Sequence, residues 1–238
     1  MSVRRCMMDR ASLQATELVV TDSSTLNYLH KALRVRPGQA IEFLDGKGGA
    51  RRAEVEQSDK RRLVGGWLEV YREEPRRGPA GPIPVLARLK GGDEEDAISA
   101  LAALGLPEIR IFQAEREPLG RTEPGHQAQR WRRISQDSCR QSGAYWSTEI
   151  HWFASLKEAL DGIGSIVFGD VQGTAMRPQP CIGLGVVTGP EGGFSEAERA
   201  WLLAQGATAV SLGRHVLRAR HAASLLPTAA LALEGVQT

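Results

Sequence analysis

The chain has 238 residues, 42% of them hydrophobic and 24% charged. That is a globular composition, and it excludes collagen-like, low-complexity and mostly disordered chains. The net charge of only +2 by itself argues against a nucleic-acid partner, but it averages unlike parts: residues 1–77 carry 15 basic and 11 acidic side chains, residues 78–238 carry 15 and 17. Arginine supplies most of the basic residues. Its planar fork suits phosphate, although an arginine-rich codon bias gives the same count.

Before Arg72 the sequence reads as short strands. A helix is predicted from Thr25 to Arg34, ended by Arg36-Pro37-Gly38. Ala40–Leu44 is followed by Asp45-Gly46 and Lys47-Gly48-Gly49, a hairpin signal, and Arg51–Glu56 and Leu63–Tyr71 continue the strand pattern. A small β-barrel over residues 1–74 is the expectation. The Pro- and Gly-rich run REEPRRGPAGPIP, from Arg72 to Pro84, interrupts both helix and sheet, so residues 75–83 are assigned to a linker.

From residue 84 to 238 strands and helices alternate, as in an α/β domain with a parallel sheet covered on both faces. The predicted strands are Pro84–Lys90, Ile109–Gln113, Ser165–Asp170, Cys181–Thr188 and Thr208–Leu212. The predicted helices begin with Glu94–Leu106, capped by Asp93, with Ala97, Ile98, Leu101 and Leu104 on its apolar face. Gly125–Gln141 is a polar helix carrying Arg130, Arg132, Arg133 and Arg140. Ser195–Gln205 opens with a capping box of Ser195 and Glu198, and a last helix spans Ala219–Leu233. Trp131, Trp146 and Trp152 are candidates for stacking on bases, or equally for filling a core or an interface.

Two loops carry the chemistry. Val186–Phe194 reads VVTGPEGGF, an apolar strand running into glycines just before a capped helix. Ligands of open α/β sheets bind beyond the carboxyl ends of the strands. The loop lacks the Lys-Ser/Thr of a P-loop and the spacing of GxGxxG, and Glu191 would repel a polyphosphate, so a small polar cofactor fits better than a nucleotide triphosphate. The plain alternative is an ordinary strand-to-helix turn. The second loop, VSLGRHVLRARH (Val210–His221), gathers Arg214, His215, Arg218, Arg220 and His221 at a helix start, where cations oppose the helix dipole and an anionic partner would relieve them. Cys6, Cys139 and Cys181 are dispersed and in no metal spacing. The N-terminus has no apolar signal core, and no apolar run is long enough to cross a membrane. A cytoplasmic location with no metal and no membrane is expected.

Together, TGPEGGFSEAE and the downstream SLGRHVLR resemble the RsmE family of SPOUT-type methyltransferases. Leu33-Arg34-Val35 with Pro37-Gly38, Phe43-Leu44-Asp45-Gly46, Leu89-Lys90-Gly91 and Gln141-Ser142-Gly143 extend the likeness along the chain. The resemblance implies methylation of N3 of a uridine in small-subunit (16S) ribosomal RNA with S-adenosyl-L-methionine. It implies a PUA-like β-barrel followed by an α/β domain with a trefoil knot, working as a homodimer. It implies cofactor contacts at Gly169, Thr188, Gly189, Pro190, Glu191, Gly192, Gly193, Leu212, Gly213, Val216, Leu217 and Arg218. Arg218 and Arg116 are the candidates to stabilise a uridinate, His215 is a lesser candidate for proton acceptor, and Arg4, Arg5, Lys31, Arg34 and Lys90 are the expected RNA contacts. The chain departs from the family pattern at Ala100, Ala103, Arg140, Ala144, Arg214, His215 and Arg220, positions that bear on target recognition and catalysis more than on the glycine loop. The alternatives are a relative that binds RNA or cofactor without transferring a methyl group, and a methyltransferase for another nucleotide.

Overall fold

Both sheet patterns read from the sequence form, each in its own part of the chain. The fold is that of a computed structural model, which describes residues 3–76, 81–117 and 125–234. Residues 77–80, in the expected linker, lie outside the described residues. The chain divides into two units, one of Met1–Arg76 with Cys139–Ser147, the other of Arg77–Ser138 with Thr148–Thr238.

The first unit contains β1 (Arg5–Met7), α1 (Arg10–Gln14), β2 (Leu18–Val20) and α2 (Ser23–Asn27), then a single π-turn (Tyr28–Ala32), β3 (Ala40–Leu44), β4 (Gly49–Ser58), β5 (Leu63–Trp67) and β6 (Arg72–Glu73). Its strands run in the order β1-β3-β4-β5-β2, with β6 beside β4. The hairpin signal at Asp45-Gly46 is real: the Asp45 carboxylate accepts from the N–H groups of Lys47 and Gly49. Along β4, Ala53 and Val55 face inward while Glu54 and Glu56 face water. The core is built from Leu13, Leu18, Leu29, Ile41, Phe43 and Leu63, with Phe43 edge-on to Trp67.

Several boundaries move here. The helix predicted from Thr25 starts at Ser23, because the Asp22 carboxylate caps it through Thr25 N–H at 2.8 Å. It gives way to the π-turn and ends before Arg34, whose φ of +51° breaks the helix. The strand predicted to Tyr71 stops at Trp67, and Leu68 and Val70 are exposed where the chain bends back.

The second unit holds β7 (Ile83–Ala87), α3 (Asp93–Ala103), β8 (Glu108–Phe112), α4 (His126–Ser142, whose last turn belongs to the first unit), β9 (Glu149–Phe153), α5 (Leu156–Ala159), β10 (Ser165–Ala175), β11 (Leu184–Thr188), α6 (Glu196–Ala204), β12 (Thr208–Ser211) and α7 (Ala219–Glu234). Its sheet has the order β12-β10-β11-β7-β8-β9, and every pairing is parallel. The central strands IPVLA and LGVVT are buried at every residue, as strands covered on both faces must be. Val85, Phe112, Phe168 and Val187 pack with Leu156 and Leu202 on one face. Leu86 and Ile111 pack with Ile98, Leu101, Trp131 and Ala223 on the other.

Several local expectations are corrected. Asp93 is the first helical residue and caps nothing; Gly92 sits at the cap position, and Asp93 instead pairs with Arg220 at 3.6 Å. Leu104 lies at the helix end and is exposed, off the buried face of Ala97, Ile98 and Leu101. β10 continues past Asp170 to Ala175 through a register shift after Gly169; a Cβ on Gly173 would lie 2.6 Å from Val210 N, so the excursion fits only glycine there. β11 starts at Leu184, leaving Cys181 buried ahead of it with its thiol donating to Glu234. Cys139 and Cys6 are buried too. Strand β9 has no counterpart in the sequence reading.

Candidate functional site

The strands β12, β10 and β11 lie side by side, and their carboxyl ends open into one cavity of about 1060 Å³. Small-molecule sites commonly hold roughly 300–1,000 Å³, so this one has room for a sizeable cofactor together with part of a substrate. The loops after these strands form its wall.

The glycine loop has the geometry its sequence suggested. Thr188 ends a buried strand, and Gly193 turns back with its N–H on Pro190 O at 2.9 Å and φ of +69°. The capping box is present: Ser195 Oγ accepts from Glu198 N–H, and the Glu198 carboxylate accepts from Ser195 N–H. The loop stays thin because side chains are missing. A Cβ at Gly189 would press on the Phe194 ring at 3.2 Å, and one at Gly192 would lie 3.3 Å from Arg116 O. Phe194 is itself held edge-on against Phe168.

Carboxylates tie the loop ends together. Glu191 accepts from Lys90 N–H at 3.0 Å, joining the glycine loop to the segment after β7. Glu198 accepts from Glu115 N–H at 3.0 Å, joining the start of α6 to the segment after β8. Asp170 accepts from Arg199 Nε at 2.7 Å and from Gln172 N–H at 2.8 Å. Burial raises its carboxyl pKa, but those two donors more than offset this and hold it below the usual carboxylate range.

A second set of charges is buried in this unit. Arg88 lies 3.8 Å from Glu94 and 3.9 Å from Glu117, and it donates to Gln127. Gln127 and Trp131 both donate to Glu94. Burial raises Glu94, only partly countered by Arg88. Burial pushes Glu117 up to about 7, again against the pull of Arg88, and its carboxyl oxygens have no hydrogen-bond partner among the described residues.

The cavity gathers most of the residues singled out from sequence. Gly169, Thr188, Gly189, Pro190, Glu191, Gly193, Leu212, Gly213, Val216, Leu217 and Arg218 line it, as do Arg116 and Lys90. Gly192 is behind the lining, against Arg116. Arg116 and Arg218 are exposed side chains, and neither makes an ion pair among the described residues. Arg4, Arg5, Lys31 and Arg34 belong to the other unit. There Arg5 is bound to Glu42 at 2.8 Å, Arg4 reaches Leu33 O, and Lys31 and Arg34 are exposed. Sequence reasoning missed Asp170, Gln172, Phe194, Arg199 and Ser211 in the lining. Asp170 stands where β10 leaves its ladder with β12, and Ser211 is the last residue of β12, a position the carboxyl-end rule could have flagged. Arg199 had no such signal. Among the described residues, no group of three His, Cys, Asp or Glu could hold a metal ion, and no helix is long and apolar enough to cross a membrane.

A family model described as RNA methyltransferase domain matches residues 83–232, more than half the chain and the whole of this cavity. The chain belongs to the RNA methyltransferase family. A second family model, RNA methyltransferase PUA domain, matches residues 20–65. The motifs' resemblance is borne out by relatives named ribosomal RNA small subunit methyltransferase E. The one from Synechocystis sp. is 28% identical over 249 residues, covering 98% of this chain and 77% of its own. The one from Mycobacterium tuberculosis is 29% identical over 220 residues, covering 86% and 81%. A crystal structure of the Neisseria gonorrhoeae protein of that name, bound to S-adenosyl methionine, shares the fold of this methyltransferase with a TM-score of 0.77, at 22% identity over 98% of each chain.

Proposed function

We propose that the protein transfers the methyl group of S-adenosylmethionine to N3 of a uridine in 16S ribosomal RNA. The observation that carries this reading is one cavity walled by the glycine loop with its Glu191, by Asp170 and by a basic rim. The residues fit the cofactor. Gly189 and Gly169 leave space that a Cβ would fill, with the Phe194 ring and Leu226 as neighbours. Asp170 and Glu191 in the wall suit a cationic sulfonium amino acid and oppose a polyphosphate. The backbone at Thr188–Gly193, Gly169 and Leu212–Arg218 would hold it. When bound, S-adenosylmethionine supplies an electrophilic methyl group.

The protein's own task is to present N3 of uridine without its proton. A paired base hides N3, so the nucleotide must leave its stack. Loss of the proton leaves a negative charge spread over the uracil ring. Arg218 and Arg116 stand at the cavity with guanidinium groups that make no ion pair among the described residues, arranged before reaction to stabilise that charge.

In this reading residues 1–74 form a PUA-like barrel that grips RNA, residues 75–83 link, and residues 84–238 form a SPOUT domain with a trefoil knot. The path of the chain supports the knot: after edge strand β12, residues 212–218 line the cavity, and α7 then packs on β11, β7 and α3. Exposed Val171, Val216 and Leu217 at the cavity favour a homodimer that covers them. Three buried thiols suit a cytoplasmic protein. Mass mapping of ribosomal RNA from a deletion strain tests the function. One missing methyl-uridine, restored by the wild-type gene and not by Arg218→Ala, is expected; an unchanged methylation map overturns the reading.

A further inference from the structure

Charge in the first unit is sorted by place. Over most of it, arginines are committed. Arg5 pairs with Glu42, Arg10 with Asp45 and Glu73, and Arg52 and Arg72 with Glu69. Arg51 donates to the carbonyls of Leu13, Ala15 and Glu69. At one end of the sheet the pattern reverses. The π-turn and the loop after it carry Lys31, Arg34 and Arg36, and the β4–β5 turn carries Lys60, Arg61 and Arg62. All six are exposed, and none makes an ion pair among the described residues.

The two basic segments are held beside each other. His30 Nε2 lies 2.9 Å from Asp59 O and 3.3 Å from Ser58 Oγ, so the π-turn rests on the β4–β5 turn. Gly38 N–H donates to Val55 O, and Val55 N–H to Gln39 O, which lays residues 38–39 along β4. The acid within the turn, Asp59, is occupied: its carboxylate accepts from the N–H groups of Arg61 and Arg62 and shapes the turn that projects them. Beside them β4 carries two exposed acids, Glu54 and Glu56.

Arg34 adds an independent observation. Its φ is +51°, left-handed backbone that glycine adopts at least cost. It stands at the end of the π-turn, where Val35 N–H closes back on Leu29 O. Folding alone would favour glycine or asparagine there. The position instead carries a long cation with no ion-pair partner among the described residues.

We infer that this end of the first unit is a phosphate-binding platform for the RNA backbone, built from Lys31, Arg34, Arg36, Lys60, Arg61 and Arg62. It rests on the methyltransferase reading and adds where, away from the cavity, the RNA is gripped. Such contacts position a strand without reading its bases. Their contribution is therefore affinity that falls with salt.

The test is filter binding of the full chain to a labelled small-subunit ribosomal RNA transcript over a salt series, alongside methyl-transfer kinetics. Lys60→Ala/Arg61→Ala/Arg62→Ala keeps the backbone turn that Asp59 holds. It should weaken binding by about 10- to 100-fold and flatten the slope of log affinity against log salt by about 2. The loss should appear in KM for RNA rather than in kcat, with S-adenosylmethionine affinity unchanged. Arg34→Gly should weaken RNA binding while leaving Tm equal or higher, which a structural role would not do. If wild-type protein binds and methylates RNA but both variants match its affinity and salt slope, the platform is refuted and the function stands. If the wild-type protein neither binds nor methylates the RNA, the functional reading fails with it.

Discussion

Removing the Glu198 carboxylate should loosen the site from two directions at once. That one side chain accepts from Ser195 N–H at 2.8 Å, closing the box at the start of α6, and from Glu115 N–H at 3.0 Å, one residue before Arg116. Glu198 is buried, so the two donors are not equally rescued when it goes. The Ser195 N–H lies inside and loses its partner, whereas Glu115 is exposed and can turn to water. A hydrogen bond to a charged group contributes about 1.5–3 kcal/mol, so with partial rescue Glu198→Ala should cost about 3 kcal/mol. For a chain of this size that is a fall in Tm of roughly 6–12 °C. Glu198→Gln keeps the shape and one acceptor oxygen, and should lose about half as much. Thermal melts followed by circular dichroism give the stability, and calorimetric titration with S-adenosylmethionine reports on the glycine loop. A Tm for Glu198→Ala equal to wild type would refute the argument that this carboxylate couples the helix cap to the end of β8.

Three further outcomes can be checked. Arg218→Ala should abolish methyl transfer with an unchanged melting curve; undiminished turnover would remove Arg218 from the reaction. Gly189→Ala should weaken S-adenosylmethionine binding about tenfold, or about 1.4 kcal/mol, because its Cβ would press on Phe194 and narrow the cavity; an unchanged Kd would count against the loop as the cofactor wall. Glu117 titrates near 7 in the fold, above a free carboxyl, so its neutral form is the favoured one. The stability linked to it is complete below the unfolded value and is lost as pH rises through about 7. Urea midpoints should therefore fall between pH 5 and pH 8, and Glu117→Gln should flatten that fall; an identical slope in the variant would show that Glu117 is not its source.

The features legible in sequence were those whose cause is local. GPEGGF followed by S-E-A-E encodes a turn and a capping box within ten residues, and both form as read. The fully apolar strands β7 and β11 announce a doubly covered sheet for the same reason. Strand β9 was missed because EIHWF is only partly buried at the sheet edge, with polar residues at its start and centre. The continuation of β10 was missed because the backbone leaves the ladder at Asp170 and rejoins it at Thr174. What no local signal carries is pairing at a distance: Asp93 pairs with Arg220 instead of capping, Arg199 turns to Asp170, and residues 139–147 group with the first unit. Arg5 looked like a free cation in sequence and is bound to Glu42 across two strands.

The sheet order also bears on how the chain reaches its native state. Strand β7 is made early, yet it is flanked by β8 and by β11, so its central pairing Ile83–Gly185 closes about a hundred residues of chain, the kind of contact that slows folding. During synthesis the cavity has no wall until β11, β12 and the segment 212–218 have emerged. A ribosome-bound chain stalled before residue 184 would leave β7 with an open hydrogen-bonding edge and its apolar face uncovered. The chain should therefore be most prone to aggregate before residue 184 has emerged and gain cofactor affinity abruptly once the segment 212–218 has followed.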